Sequence, residues 1–389
     1  MHKPSAEIPD RPAGAPRPQA EPAAGTCIRR GVCRVLFAFD VGFSIDLEEA
    51  QRRTSTEIHR GRFTHRRRAP YYFDYQPPPL RVIHSTDAVT VGSHRTDTTV
   101  EYVLYDFGAV VINFAIPLAA PFHELLALSN QLYNHVGLAE QARLVLHTLL
   151  KPIEPAIRKP AVSDLAEDYC IYEIAEVTPA QDAAGLLEAN RELIARTLRA
   201  EIGPLSSQEV EEALACRIAF SPDDLAIIDW NAALLLDSEP EDVRSVLEFA
   251  NVELLELRHL DDRLDRVLNH AYETMQRRWL GFSSGSGRAD LGRIARLQMD
   301  SALLFEGVNN TLKLLGDQYL ARVYRLASQR FHLQDWDTSI LRKLQTIESI
   351  YEKLADRHSN RRMEVLEWII IVLIALSIAL PFLPGFGST

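Results

Sequence analysis

The sequence predicts an α+β fold: an N-terminal mixed α/β domain, then a long antiparallel helical stalk ending in one C-terminal transmembrane helix. Three observations predict it. β-type apolar runs alternate with helical periodicity between about residues 30 and 235. From Pro240 onward glycine and proline become scarce, and apolar residues take a 3–4 spacing. From Trp368 to Thr389 no side chain is charged. The expected divisions are a disordered tail over 1–26, the α+β domain over 27–235, the stalk over 236–364 with a loop at 281–288, and a membrane anchor over 365–386.

The first 26 residues are rich in Pro and Ala and carry Glu and Asp. They lack the apolar core of a signal peptide and the acid-poor character of a transit peptide. Val32–Asp40 is a β-type run, and Ile45–Arg53 reads as a short helix with Asp46 as its N-cap. Leu80–His84 and Ala88–Gly92 are candidate strands. Thr98–Asp106, the Phe107-Gly108 turn and Ala109–Ile116 form an expected hairpin rich in β-branched and aromatic residues. Helical periodicity follows over Phe122–Tyr133 and Leu138–Leu150, closed by Pro152, Pro155 and Pro160. Asp168–Val177 alternates like a half-buried strand, and Ala183–Ala200 reads as a helix. Leu225–Trp230 and Ala233–Asp237 flank Asn231, as a hairpin or as a helical approach to the stalk.

In the stalk, Leu247, Ala250, Leu254, Leu257, Leu264, Leu268, Ala271 and Met275 keep a 3–4 spacing, broken where Asp261 takes a seam position. A second helix is expected from about Leu291 to Phe331. A third carries Ile340, Leu344, Ile347, Tyr351 and Leu354. Such segments imply a helical hairpin or bundle with coiled-coil packing. Between Trp336 and Leu380 there is neither Pro nor Gly, so the third helix is expected to enter the membrane as one rod.

The anchor is expected to rest on Trp368, Ile369, Ile370, Ile371, Leu373, Ile374, Leu376 and Leu380. A helix stopping at Leu380 would give about 20 Å of apolar length at 1.5 Å per residue, short of the ~30 Å hydrocarbon core. The segment is apolar all round, however, and proline is tolerated in membrane helices, so the span is expected to continue toward Phe386. Arg357, Arg361 and Arg362 form a basic collar before it. With Trp368 at the headgroup edge, the collar predicts a single pass with the N-terminal bulk in the cytoplasm, at the inner membrane if bacterial.

The formal charge of −11 argues against a general nucleic-acid-binding role, and DNA is not an expected partner. Cys27, Cys33, Cys170 and Cys216 make no CxxC pair, which fits a reducing compartment. Gly281-Phe-Ser283-Ser-Gly285 spells G-x-S-x-G but lies between helices, where a nucleophile elbow needs a strand before the serine. No P-loop, GxGxxG or His-Glu-x-x-His is present, so no catalytic residue, cofactor or metal site is expected. Glu256, Asp261, Asp262 and Asp265 read as a solvated helix face pairing with Arg258, Arg263 and Arg266. The cluster Arg60, Arg62, Arg66, Arg67 and Arg68, flanked by aromatics from Phe63 to Tyr75, reads first as a solvated loop. Its alternative is a loop for anionic partners: phosphate backbones, anionic lipid or ribosomal RNA.

The segment Arg361-Arg-Met-Glu-Val-Leu-Glu-Trp-Ile-Ile-Ile-Val-Leu-Ile374 resembles the signature ending of the required-for-meiotic-nuclear-division family, a domain of unknown function. Tyr105-Asp-Phe-Gly-Ala-Val-Val111 and Glu167-Asp168 are similar to further family features. The likeness covers roughly residues 30–383, with the tail motif as its specific part, and suggests a bacterial member. Family members commonly carry a Glu where this chain has Ser377. The resemblance implies a membrane-anchored, non-enzymatic protein; eukaryotic members are associated with the mitochondrial inner membrane and mitochondrial translation as an oligomeric scaffold.

The expected function is therefore a tail-anchored membrane scaffold that self-associates through its stalk and docks ribosomes or other complexes. The alternatives are an enzyme with its site in the α+β domain, or a CorA-like ion-conducting oligomer, which would need a second span.

Overall fold

The computed structural model describes residues 25–54, 58–60, 77–279, 299, 318–350 and 370–371. It opens with β1 (Cys27–Asp40), β2 (Ser44–Ile45), α1 (Leu47–Arg53) and β3 (Ile58–Arg60). Next come β4 (Leu80–Ser85), β5 (Thr90–Val91), β6 (His94–Arg95), β7 (Thr99–Leu104) and β8 (Ala109–Leu118). Helices α2 (Glu124–Leu132) and α3 (Val136–Ile153) precede β9 (Ile157–Arg158) and β10 (Ala166–Thr178). Then follow α4 (Ala183–Arg199), α5 (Ser207–Ala213), β11 (Arg217–Ile218), β12 (Leu225–Ile228) and β13 (Ala232–Leu236). The chain continues in α6 (Glu241–Trp279), α7 (Gln318–Arg330) and a helix over 333–350, α8.

Nine strands form one mixed sheet in the order β11-β12-β13-β10-β1-β8-β7-β4-β3. Its pairings are antiparallel except β10 with β13, which is parallel. Strand alternation supplies two apolar faces. On β1, Cys33, Val35, Phe37 and Phe39 face α1 to α5, while Leu36 and Ala38 face α6 to α8. The result is three layers, helix–sheet–helix.

Local chemistry explains the boundaries. Asp46 caps α1 by accepting from the Glu48 and Glu49 amides at 3.1 and 3.0 Å. The expected β7–β8 hairpin forms, turning at Gly108 with φ 104°. A Cβ there would sit 1.9 Å from the Gly42 carbonyl oxygen, so only glycine lets the turn lie against the chain leaving β1. Leu225–Ile228 and Ala232–Leu236 resolve as a hairpin.

The expected boundary at 235/236 cuts the last residue from β13, five positions before α6 begins at Glu241. The first half of α6 lies on the sheet, and Val246, Ala250, Leu257 and Leu264 share one core with strand residues and with Val323, Ile340 and Ile347 of α7 and α8. Glu253 of α6 meets Tyr324; farther along, Asp261 meets Ser339 and Lys343, and Asp265 meets Lys343. These contacts step in one direction along both partners. The stretches 280–298 and 300–317, over which most of the expected second helix falls, are outside the described residues. Among the described residues no helix is long and apolar enough to cross a membrane; the run 365–386 lies outside them except for Ile370 and Ile371.

Candidate functional site

The second face of the sheet carries charge under α6. Arg34 of β1, Arg81 of β4, Glu101 of β7, Asn113 of β8 and Glu173 of β10 all point to it, and α6 supplies Arg244 and Glu248. Glu248 is fully buried and accepts from Arg81 at 2.6 Å and from Asn113 at 3.4 Å. Arg81 also reaches Glu101 at 3.1 Å and Ser245 at 3.0 Å. Glu173 accepts from Arg244 at 2.9 Å and Arg34 at 3.3 Å. Three arginines thus balance three glutamates in one interlock across five strands and a helix. Every cation has a carboxylate within reach, while Nε of Arg244 and Oδ1 of Asn113 make no hydrogen bond among the described residues. We read it as the fastener of α6 to the sheet.

A second node closes the far end of the sheet. Asp229, fully buried after β12, accepts from Arg199 of α4 at 3.1 Å and from Arg330 of α7 at 2.6 Å. It joins helices on opposite faces, and the Tyr169 hydroxyl donates to its carbonyl at 2.8 Å.

Farther along α6 the charges open into a cleft of about 680 Å³. Asp40 ends β1, and beside it, on the segment leading into β10, the Ser163 amide donates to the Asp40 carbonyl at 2.9 Å. The Ser163 Oγ accepts from the Leu165 amide at 3.1 Å and lies 3.1 Å from Nδ1 of His259. Nε2 of the same imidazole lies 3.7 Å from Oδ2 of Asp40. Arg263, one turn on, lines the same cleft with Lys159 and His270.

Burial sets the electrostatics. It pushes the Asp40 carboxyl up to about 7 against the pull of Arg263. It holds Glu256 well above the usual carboxylate range, with Asp40 adding repulsion. Burial likewise takes His259 down to about 4, and Arg263 and Arg266 push the same way. Glu167, donated to by Arg258, is raised by burial to about 7. The solvated acidic face expected on α6 is therefore corrected at Glu256, which is buried between helix and sheet, and at Asp261, which pairs with Lys343. Arg258 goes to Glu167 on the sheet; Asp262 with Arg266, at 2.8 Å, is the pair that stays at the surface.

Serine, histidine and aspartate in a cleft suggest a nucleophilic triad, and the geometry argues otherwise. The serine sits on Nδ1 and the aspartate beyond hydrogen-bond distance of Nε2. A half-protonated Asp40 gives weak support to an imidazolium, and an imidazole with a pKa of about 4 is a poor general base near neutrality.

The larger cleft, about 990 Å³, is lined by Asp182, Asp224, Asp237 and Asp242 among others. Its carboxylates serve the fold. Asp182 caps α4, Asp224 accepts from the Phe220 amide and the Tyr319 hydroxyl, and Asp237 accepts from the Glu239 amide.

Of the residues expected from sequence to matter, Ile370 and Ile371 are helical and about half exposed. Arg60 ends β3, at the edge of the sheet. Arg62, Arg66, Arg67, Arg68, the collar Arg357, Arg361 and Arg362, and the anchor residues Trp368, Ile369, Leu373, Ile374, Leu376 and Leu380 lie outside the described residues. The Asp40–Ser163–His259–Arg263 grouping was not legible in the sequence. Its members are scattered over more than 200 positions without motif spacing, and only the stripe His259, Arg263, Arg266 and His270 along α6 offered a signal.

Fold and sites together define a layered α/β domain whose charged residues bind helix to sheet, in a class of unknown function. The chain belongs to the family described as "Uncharacterized protein MJ0711, N-terminal domain", whose model matches residues 30–242. The uncharacterized protein MJ0711 of Methanocaldococcus jannaschii is 25% identical over 227 residues, which cover 58% of this chain and 68% of that protein. No solved structure matches. The family match spans β1 to the start of α6, so Asp40 and Ser163 fall inside it while His259, Arg263 and His270 fall beyond it. The resemblance to the required-for-meiotic-nuclear-division family, and with it the expected bacterial membership, gains no support from these matches.

Proposed function

We propose that the protein is a membrane-anchored, non-enzymatic scaffold whose α/β body is held at the cytoplasmic face by the apolar run at 365–386. The observation that carries this reading is that run itself. It is free of charge from Trp368 onward, preceded by Arg357, Arg361 and Arg362, and joined to α8 without an intervening proline or glycine. The rest of α8 supports it. Ile340 and Ile347 are buried against the body, so force at the span would pass directly into a packed domain. The resemblance of residues 361–374 to the required-for-meiotic-nuclear-division family adds a membrane setting and an oligomeric scaffold. Self-association is assigned to the helical segments beyond the sheet, and ribosome docking to the Arg60–Arg68 region.

The test is truncation after Arg362. The reading expects a folded, water-soluble body that remains self-associated by light scattering. A monomer would remove the oligomeric part of the proposal. Loss of folding would place the apolar run inside the core instead of in a bilayer.

A further inference from the structure

We propose that the cleft between the end of β1, the 159–165 loop and α6 binds a small oxyanion of the phosphate class, with Arg263 and His270 as its main donors and Ser163 beside them. The inference is independent of the scaffold reading.

Arg263 is half-buried and lines the cleft. It acts through space on Asp40, Glu256 and His259, yet makes no direct hydrogen bond or ion pair with any described residue. A guanidinium presents five donors, and those of Arg263, none of them buried without a partner, are open to a ligand in the cleft. The Nε2 of His270, also in the cleft wall, is buried and has no hydrogen-bond partner among the described residues. Positions 259, 263, 266 and 270 fall on one stripe of α6, so these groups converge on one volume.

Of the carboxylates in the cleft wall, Asp262 is taken by Arg266 and Asp40 is raised by burial to about 7, which leaves Asp164 to offset part of the positive charge of Arg263 and Lys159. At the mouth, Lys159 has a left-handed backbone, φ 49°, and its ammonium lies 5.0 Å over the Phe43 ring. A cation and a serine hydroxyl thus flank the two unpartnered groups. Phosphate supplies what they lack: a compact negative charge with several acceptor oxygens, matched to a guanidinium fork. The cleft is roomier than inorganic phosphate requires, which leaves space for an ester substituent.

The test is titration of the purified intact chain with inorganic phosphate and with glycerol phosphate, read by calorimetry and by the ligand-induced shift in Tm. Wild type should bind saturably. Arg263→Met should weaken binding by about tenfold or more, the loss of one or two charge-assisted hydrogen bonds, and abolish the Tm shift. Arg266→Met, whose guanidinium is already paired, should retain most of both. If Arg263→Met does not fold, His270→Gln and Ser163→Ala carry the same readouts. Tighter binding of the ester points to a lipid headgroup or other phosphomonoester; equal binding points to free phosphate. Absence of saturable binding by wild type, or unchanged binding in Arg263→Met, overturns the proposal.

Discussion

Replacing Glu248 with leucine tests whether the buried charge network fastens α6 to the sheet. Glu248 is fully shielded and takes 2.6 Å and 3.4 Å hydrogen bonds from Arg81 and Asn113, with Nε of Arg244 at 3.7 Å. Its removal leaves three arginines facing two glutamates. Arg81 keeps Glu101 and Arg244 keeps Glu173, but one positive charge has no counterpart. Losing one member of a buried pair costs about 3–5 kcal/mol, because the stranded charge stays out of water. Urea unfolding followed by tryptophan fluorescence reads this as a lower midpoint. The double variant Arg81→Met/Glu248→Leu restores the balance with apolar groups and should recover about 1–3 kcal/mol relative to the sum of the single variants. A loss below about 1 kcal/mol in Glu248→Leu, or strict additivity in the double variant, would refute the interlock.

Other predictions concern separate parts of the molecule. Asp40 has its carboxyl raised from 3.8 to about 7. Below about pH 4 both folded and unfolded states hold the proton; between there and about 7 only the folded state does, so stability falls as pH rises. Asp40→Asn removes this slope, and its urea midpoint relative to wild type should improve steadily from pH 4 to 7. His259, lowered from 6.5 to about 4, loses stability in the opposite direction and is common to both proteins. A constant difference between them would contradict the buried state of Asp40. Arg330→Met should release α7 from Asp229, raising amide exchange over 318–330 well before the central strands respond; uniform protection would show that the apolar contacts suffice. Changing Arg66, Arg67 and Arg68 to Ser should abolish salt-sensitive co-sedimentation with ribosomes, and unchanged co-sedimentation would end the docking idea.

Most of the sheet was legible because its strands obey simple patterning. β1, β7, β8 and β10 alternate or run apolar between clear breakers, Gly108 marks a tight turn, and Asp46 has the position and chemistry of a cap. The short β11 at the sheet's edge and the separate β2–β9 pair were not, since two-residue pairings leave no periodic signal. The 3–4 spacing after Pro240 identified α6 correctly but could not say what its apolar stripe would meet. A helix buries such a stripe as readily against a sheet as against another helix, and here α6 does both. The candidate site was hidden for a related reason. Glu248 and Glu256 look like solvent-facing helix carboxylates in sequence, and only the strands beneath them, bearing Arg81 and Asp40, show that they are enclosed.

The central claim is that residues 365–386 hold the folded body to a bilayer. Vesicle flotation of the intact chain beside the truncation after Arg362, each washed with high salt and with carbonate, tests it most directly. The account predicts that the intact chain floats and resists both washes while the truncated chain stays at the bottom of the gradient. Release of the intact chain by salt, or flotation of the truncated one, would contradict it.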